Sequence, residues 1–138
     1  MNRRPRIAWH LIAVATILAL AAPAGAAKKF KAKPRKGQAG LFFVNNEGEA
    51  VQGLVVQLSK KAIVVTDTST GFAGPFQNIQ GNGTKSIKFS NAYPAVAPAT
   101  GEEDGFDLIF RSYKSGLKIK SYWWTDAKGK RIGKKNKG

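Results

Sequence analysis

The 138-residue chain has no cysteine, one histidine and one methionine, and only eight acidic side chains against 23 lysines and arginines. Without cysteine there is no disulfide framework to support a small fold, so stability must come from packing. The one histidine, His10, lies in an N-terminal segment laid out like a removable leader. Once that segment is gone, the chain has neither imidazole nor thiol. Ser-His-Asp and Cys-His nucleophile systems are then excluded, because each needs an imidazole to move a proton near neutral pH. Ordinary zinc and copper sites are excluded as well, since they need imidazole or thiolate ligands. Only carboxylates, tyrosine, lysine and backbone groups remain for chemistry, so no cofactor and no enzymatic activity are expected.

The leader is legible in three parts. Arg3, Arg4 and Arg6 open it, an apolar run extends from Leu11 to Ala22, and Pro23 precedes the small residues Ala24 and Ala26. This is the pattern of a secretory signal peptide over residues 1–27, cut after Ala26 or Ala27. An uncleaved anchor is the alternative, although Ile7 to Ala22 falls short of the roughly 18–20 apolar residues of a spanning helix. The expected location is the periplasm or the exterior of a bacterial cell. Cleavage leaves about 112 residues, enough for one ordinary domain, and no later apolar stretch is long enough to cross a membrane.

The charge is unevenly spread. Without Arg3, Arg4 and Arg6 the formal +15 falls to 20 basic against eight acidic side chains. Six of the basic residues (Lys28, Lys29, Lys31, Lys33, Arg35, Lys36) precede Gly37, and six more (Lys128, Lys130, Arg131, Lys134, Lys135, Lys137) follow Ala127. The middle holds eight bases and all eight acids, and is neutral in sum. Such runs self-repel and bury little, so a basic N-terminal tail over 28–37 and a basic C-terminal tail over 134–138 are expected to be at most partly ordered. Two readings stay open for them. They are solvated ends that maintain solubility, or they grip a polyanion: lipopolysaccharide, a wall polymer, acidic polysaccharide, extracellular DNA or an anionic membrane surface.

Between the tails, short alternating segments dominate. Leu41–Asn45, Gly53–Ser59, Ala62–Thr66, Phe72–Phe76, Ser86–Ser90, Phe106–Tyr113 and Leu117–Thr125 read as strands, separated by glycine- and proline-rich turns. Leu54, Val56 and Leu58 share one side of their segment, and Ile87 and Phe89 point inward against Lys88. Pro75 suits an edge or a bend, and GPFQNIQGNGTK reads as a hairpin loop with no phosphate-loop lysine-serine pair. The expected fold is a single all-β domain over 38–133, an antiparallel β-sandwich of seven or eight short strands, immunoglobulin-like or jelly-roll-like.

The last two of these strands carry the most specific expectation. Strict alternation puts Leu117, Ile119, Ser121 and Trp123 on one face and Lys118, Lys120, Tyr122 and Trp124 on the other. Joined as a hairpin across KSG, with Phe110 opposite Ile119 and Phe106 opposite Trp123, the strands bury Trp123 and expose Arg111, Lys118, Lys120, Tyr122 and Trp124. A β-bulge would spoil the assignment. Such a stripe can stack a sugar or base while its cations take phosphate or carboxylate, or it is ordinary cross-strand packing covered by lysine stems. The cluster Glu102, Glu103, Asp104 and Asp107 offers hard oxygens to calcium but lacks EF-hand spacing, and equally reads as a solvated turn. Flexible carboxylates on one loop do not flank a glycosidic bond at fixed separation. The sequon NGT at Asn82–Thr84 matters only in a eukaryote.

The stretch WWTDAKGKRIG, Trp123 to Gly133, resembles the closing WTD-x-x-G-x-x-IG of uncharacterised exported bacterial β-sandwich proteins. The resemblance implies a turn from Asp126 to Gly129 and a further short strand at Lys130–Gly133, and it implies no activity. Taken together, these features lead us to expect an exported, non-catalytic β-sandwich held electrostatically on an anionic polymer. The alternative is a carbohydrate-binding module that stacks its ligand on Trp124 and Tyr122.

Overall fold

The computed structural model describes residues 35–65, 74–101 and 104–138. The segment expected to be a leader and, after it, Lys28, Lys29, Lys31 and Lys33 lie outside the described residues, as do Glu102 and Glu103. Eight strands follow one another: β1 (Gln38–Phe43), β2 (Gly53–Leu58), β3 (Ile63–Val65), β4 (Phe76–Gln80), β5 (Ser86–Ala92), β6 (Phe106–Arg111), β7 (Ile119–Thr125) and β8 (Arg131–Lys137). They make two antiparallel sheets, β1-β6-β3 and β4-β5-β2-β7-β8. The inner faces enclose one core, in which Leu41, Phe43, Leu108 and Phe110 of the smaller sheet meet Leu54, Val56, Ile87, Phe89 and Trp124 of the larger. The all-β sandwich expected from alternation is the architecture found, with period-2 apolar residues turned to the shared core.

Four details differ from the sequence reading. The segment read as a hairpin loop contains the edge strand β4, with Asn78 opposite Ser90 and Gln80 opposite Lys88. Its polar residues gave no alternation, and backbone pairing with β5 is what orders it. Strands β6 and β7 are not a hairpin: β6 pairs with β1 and β3, while β7 pairs with β2 and β8, so the two face each other across the core. Strand β8 continues through Lys134 and Lys135 to Lys137, beyond the boundary expected at Gly133. Its side chains bury little, and its order comes from pairing to β7.

The fourth difference reverses a face. On β2 and β7 the partners run from Gly53 opposite Thr125 to Gln57 opposite Ser121, and then Leu58 meets Ile119. Lys120 is thus an extra residue, a β-bulge that flips the parity of everything after it. Leu117 and Ile119 pack on the core before the bulge, and Tyr122 and Trp124 pack on it afterwards. Trp124 is 1% and Tyr122 4% exposed. Trp123 is the half-exposed ring on the outer face.

Polar groups close the ends of the sandwich. Asn45, 1% exposed, donates from Nδ2 to the carbonyls of Glu49 and Val96, both at 2.8 Å. Its Oδ1 accepts the Glu47 amide at 2.9 Å, so one side chain ties the β1–β2 connection to the β5–β6 connection. At the opposite end, Asn82 Oδ1 accepts the Val64 amide at 2.9 Å and Ala62 N–H donates to the Thr84 carbonyl at 3.2 Å. The two bonds join the β4–β5 loop to β3 and to the residue just before it, across the two sheets.

Candidate functional site

Because every pair of neighbouring strands is antiparallel, alternate connections return to the same end of the sandwich. One end gathers the start of β1, the β2–β3, β4–β5 and β6–β7 connections, and the end of β8. Registers place Gln38 and Ile63 beside Arg111, and Ser86 and Ser121 beside Gln57, at this end. Its cations are Arg35, Lys36, Lys60, Lys61, Lys85, Arg111, Lys114, Lys118, Lys120 and Lys137. A hollow of about 460 Å³ lies among them, lined by Ser59, Lys60, Lys61, Lys85, Ser112, Tyr113 and Lys114. Among the described residues no acidic side chain belongs to this end. Glu47, Glu49, Asp104, Asp107 and Asp126 all belong to the other end. The middle of the chain, neutral in sum, is therefore strongly polarised in space.

The predicted cationic residues divide accordingly. Arg35 and Lys36 sit at the basic end, and Arg35 directly follows Lys33 and Pro34 in the chain. The C-terminal run does not form a matching tail. Lys128, Lys130 and Arg131 lie in the β7–β8 turn and first residue of β8, at the end that holds the acids, and only Lys137 reaches the basic end. Asp126 shapes that turn: its Oδ1 accepts the amides of Lys128 and Lys130, at 2.8 and 2.9 Å. The Lys130 amide above all, with that of Lys128, holds the Asp126 carboxyl below its ordinary 3.8.

The proposed stacking stripe of Tyr122, Trp124, Lys118, Lys120 and Arg111 is not a surface in the structure. Tyr122 and Trp124 are core side chains for the parity reason given above, and Arg111 belongs to the other sheet. Burial, with the nearby Glu47 carboxylate, pushes the Tyr122 phenol above its ordinary 10.0.

A different surface occupies the outer face of the larger sheet. Registers align Gln80, Lys88, Val55 and Trp123 in one row across β4, β5, β2 and β7. Beside them on β8, Gly133, Lys134 and Lys135 together span the length that Trp123 spans on β7, since Tyr122 meets Asn136 and Trp124 meets Ile132. Gly133, at φ 74°, supplies the left-handed turn of this bulge, and the Glu47 carboxylate fills the space a β-carbon there would take. The bulge brings Lys135 Nζ to 5.1 Å from the centroid of the Trp123 ring, a cation–π distance.

Of the acidic cluster, Asp104 and Asp107 are among the described residues, and they have separate surroundings. Asp104 accepts from Thr100, amide at 2.7 Å and hydroxyl at 2.6 Å, which holds its carboxyl below the ordinary 3.8, the hydroxyl contributing most. Asp107 points from β6 to the outer face of the smaller sheet, where its Oδ1 is buried without a hydrogen-bond partner. Among the described residues no three carboxylates come together as a metal site, and no helix is long and apolar enough to cross a membrane. No family model, curated protein or solved structure matches the chain.

Proposed function

We propose that this is an exported, non-catalytic binding protein that holds an anionic envelope or extracellular polymer through the basic end of its sandwich. The supporting observation is the segregation itself. Cations from the start of β1, three separate connections and the end of β8 converge at one end, while the five described acids lie at the other. A cluster of this kind draws a polyanion by charge and by counterion release, and the opposed acids orient the approach so that the basic end arrives first. Lysines on short connections between packed strands also have their spacing set by the fold. The absence of histidine and cysteine beyond His10 supports a binding role over a catalytic one.

The experiment is retention on immobilised polyphosphate or heparin across a salt series. Retention should fall steeply and linearly on logarithmic axes as salt rises. Retention that does not change with salt would overturn the electrostatic reading.

A further inference from the structure

The outer face of the larger sheet carries a groove that the basic end does not use. It occupies about 440 Å³ and is lined by Val55, Gln80, Lys88, Ser90, Trp123 and Lys128 among others, within the usual range of about 300–1,000 Å³ for small-ligand clefts. Beside it the Thr125 hydroxyl takes the space that a β-carbon on Gly53 would need. The charge is of one sign: Lys88 and Lys128 face the groove, and no acid is among its lining residues. Asp126, next in sequence, spends its Oδ1 on its own turn.

We infer that this groove is a subsite for one acidic sugar unit of a glycan. The pyranose ring lies against the Trp123 indole, its carboxylate meets the ammonium of Lys88 or Lys128, and its hydroxyls meet Gln80 and Ser90. A half-exposed indole gives the apolar face a sugar ring needs, and the lysines select the acidic form. Single-stranded nucleic acid is held instead by successive stacking platforms, and here one ring is present. Lys135 is a positioning residue: its ammonium lies over the indole but does not line the groove, so it fixes the ring without occupying the ligand's place. The inference deepens the polyanion reading by naming an acidic glycan, yet it stands on other residues, so the two fail separately.

The test titrates the full-length protein with an α-1,4-linked galacturonate hexamer, followed by calorimetry and tryptophan fluorescence. An uncharged galactose hexamer and oligothymidylate are the comparators. The acidic hexamer should saturate one site, and Trp123→Ala should weaken it about tenfold or more, the scale of one lost stacking partner. Lys60→Glu with Lys114→Glu, at the basic end, should cut polyphosphate retention while leaving in place the Trp123 fluorescence change that the acidic hexamer produces at saturation, as expected for separated sites. Trp123→Ala also removes a packing partner of Val55, so Lys88→Glu is the second variant; it alters only the rim and should weaken the acidic hexamer too. No binding of the acidic hexamer, unchanged affinity in either folded variant, equal binding of the uncharged hexamer, or tighter binding of oligothymidylate would each overturn the inference.

Discussion

Trp124 is the hub of the aromatic core. Its ring meets Phe43, Phe106 and Tyr122 edge-on, at centroid distances of 6.5, 6.1 and 6.5 Å, a geometry favoured by the opposed charge of ring face and ring edge. Trp123, one residue earlier, has its direct cross-strand partner in Val55 and a lysine above it. Trp124→Ala should therefore cost about 3–5 kcal/mol of folding stability, a large share of the roughly 5–15 kcal/mol of a typical domain. Trp123→Ala should cost about 1 kcal/mol or less, the range of a cross-strand pair. Urea denaturation of the two variants measures the contrast, and a larger loss for Trp123→Ala would contradict the face assignment. From the sequence, one of the two rings had to be inside; which one depended on a parity that the residues do not display. Asn45 was equally hidden, because a buried asparagine in a turn looks like any other turn asparagine until its two carbonyl partners, one of them 51 positions away, are in place.

At the scale of elements, local alternation was readable and pairing was not. The inward residues of β2, β5 and β6 follow from period 2 alone. The partnership of β6 and β7 does not, since a strand pair joined as a hairpin and a pair placed across the core bury the same alternate residues. The choice was made by distant contacts: β2 takes β7, and the Ser59 amide reaches the Lys118 carbonyl at 2.9 Å. The bulge at Lys120 has a consequence that can be checked. Deleting Lys120 leaves Leu117, Ile119, Tyr122 and Trp124 in unbroken alternation, all toward the core, and removes only an outward lysine and the bond its carbonyl accepts from Gly138. The deletion should leave a folded protein destabilised by about 1 kcal/mol, the worth of one backbone bond. Deleting Val55 from the regular part of β2 should instead turn half the strand's core residues outward and abolish cooperative unfolding. Thermal melts of the two deletions distinguish the cases; equal damage from both would mean that the bulge is not where the parity changes.

Over the whole molecule, position matters more than total charge. Counting along the chain made the middle neutral and gave the excess to the tails. In an antiparallel order, however, the second, fourth and sixth connections share one end, and those connections carry Lys60, Lys61, Lys85, Lys114 and Lys118. The first, fifth and seventh share the other end and carry Glu47, Glu49, Asp104 and Asp126. The signal was present in the sequence but needed strand order, not composition, to extract it. Two threefold charge reversals separate the explanations. Changing Lys60, Lys61 and Lys114 to Glu and changing Lys130, Arg131 and Lys134 to Glu remove the same formal charge. If net charge alone draws the polymer, both variants lose the same salt-dependent affinity. If the basic end is the contact surface, the first variant should lose about one unit of the logarithmic salt slope for each contact removed, and the second should keep nearly the parent slope. Lys134 is a fair member of the second set because Gly133, the residue before it, lies against the Glu47 carboxylate on the acid-bearing side. Equal slopes in the two variants would reduce the polarity of the fold to a feature of solubility, with no part in docking.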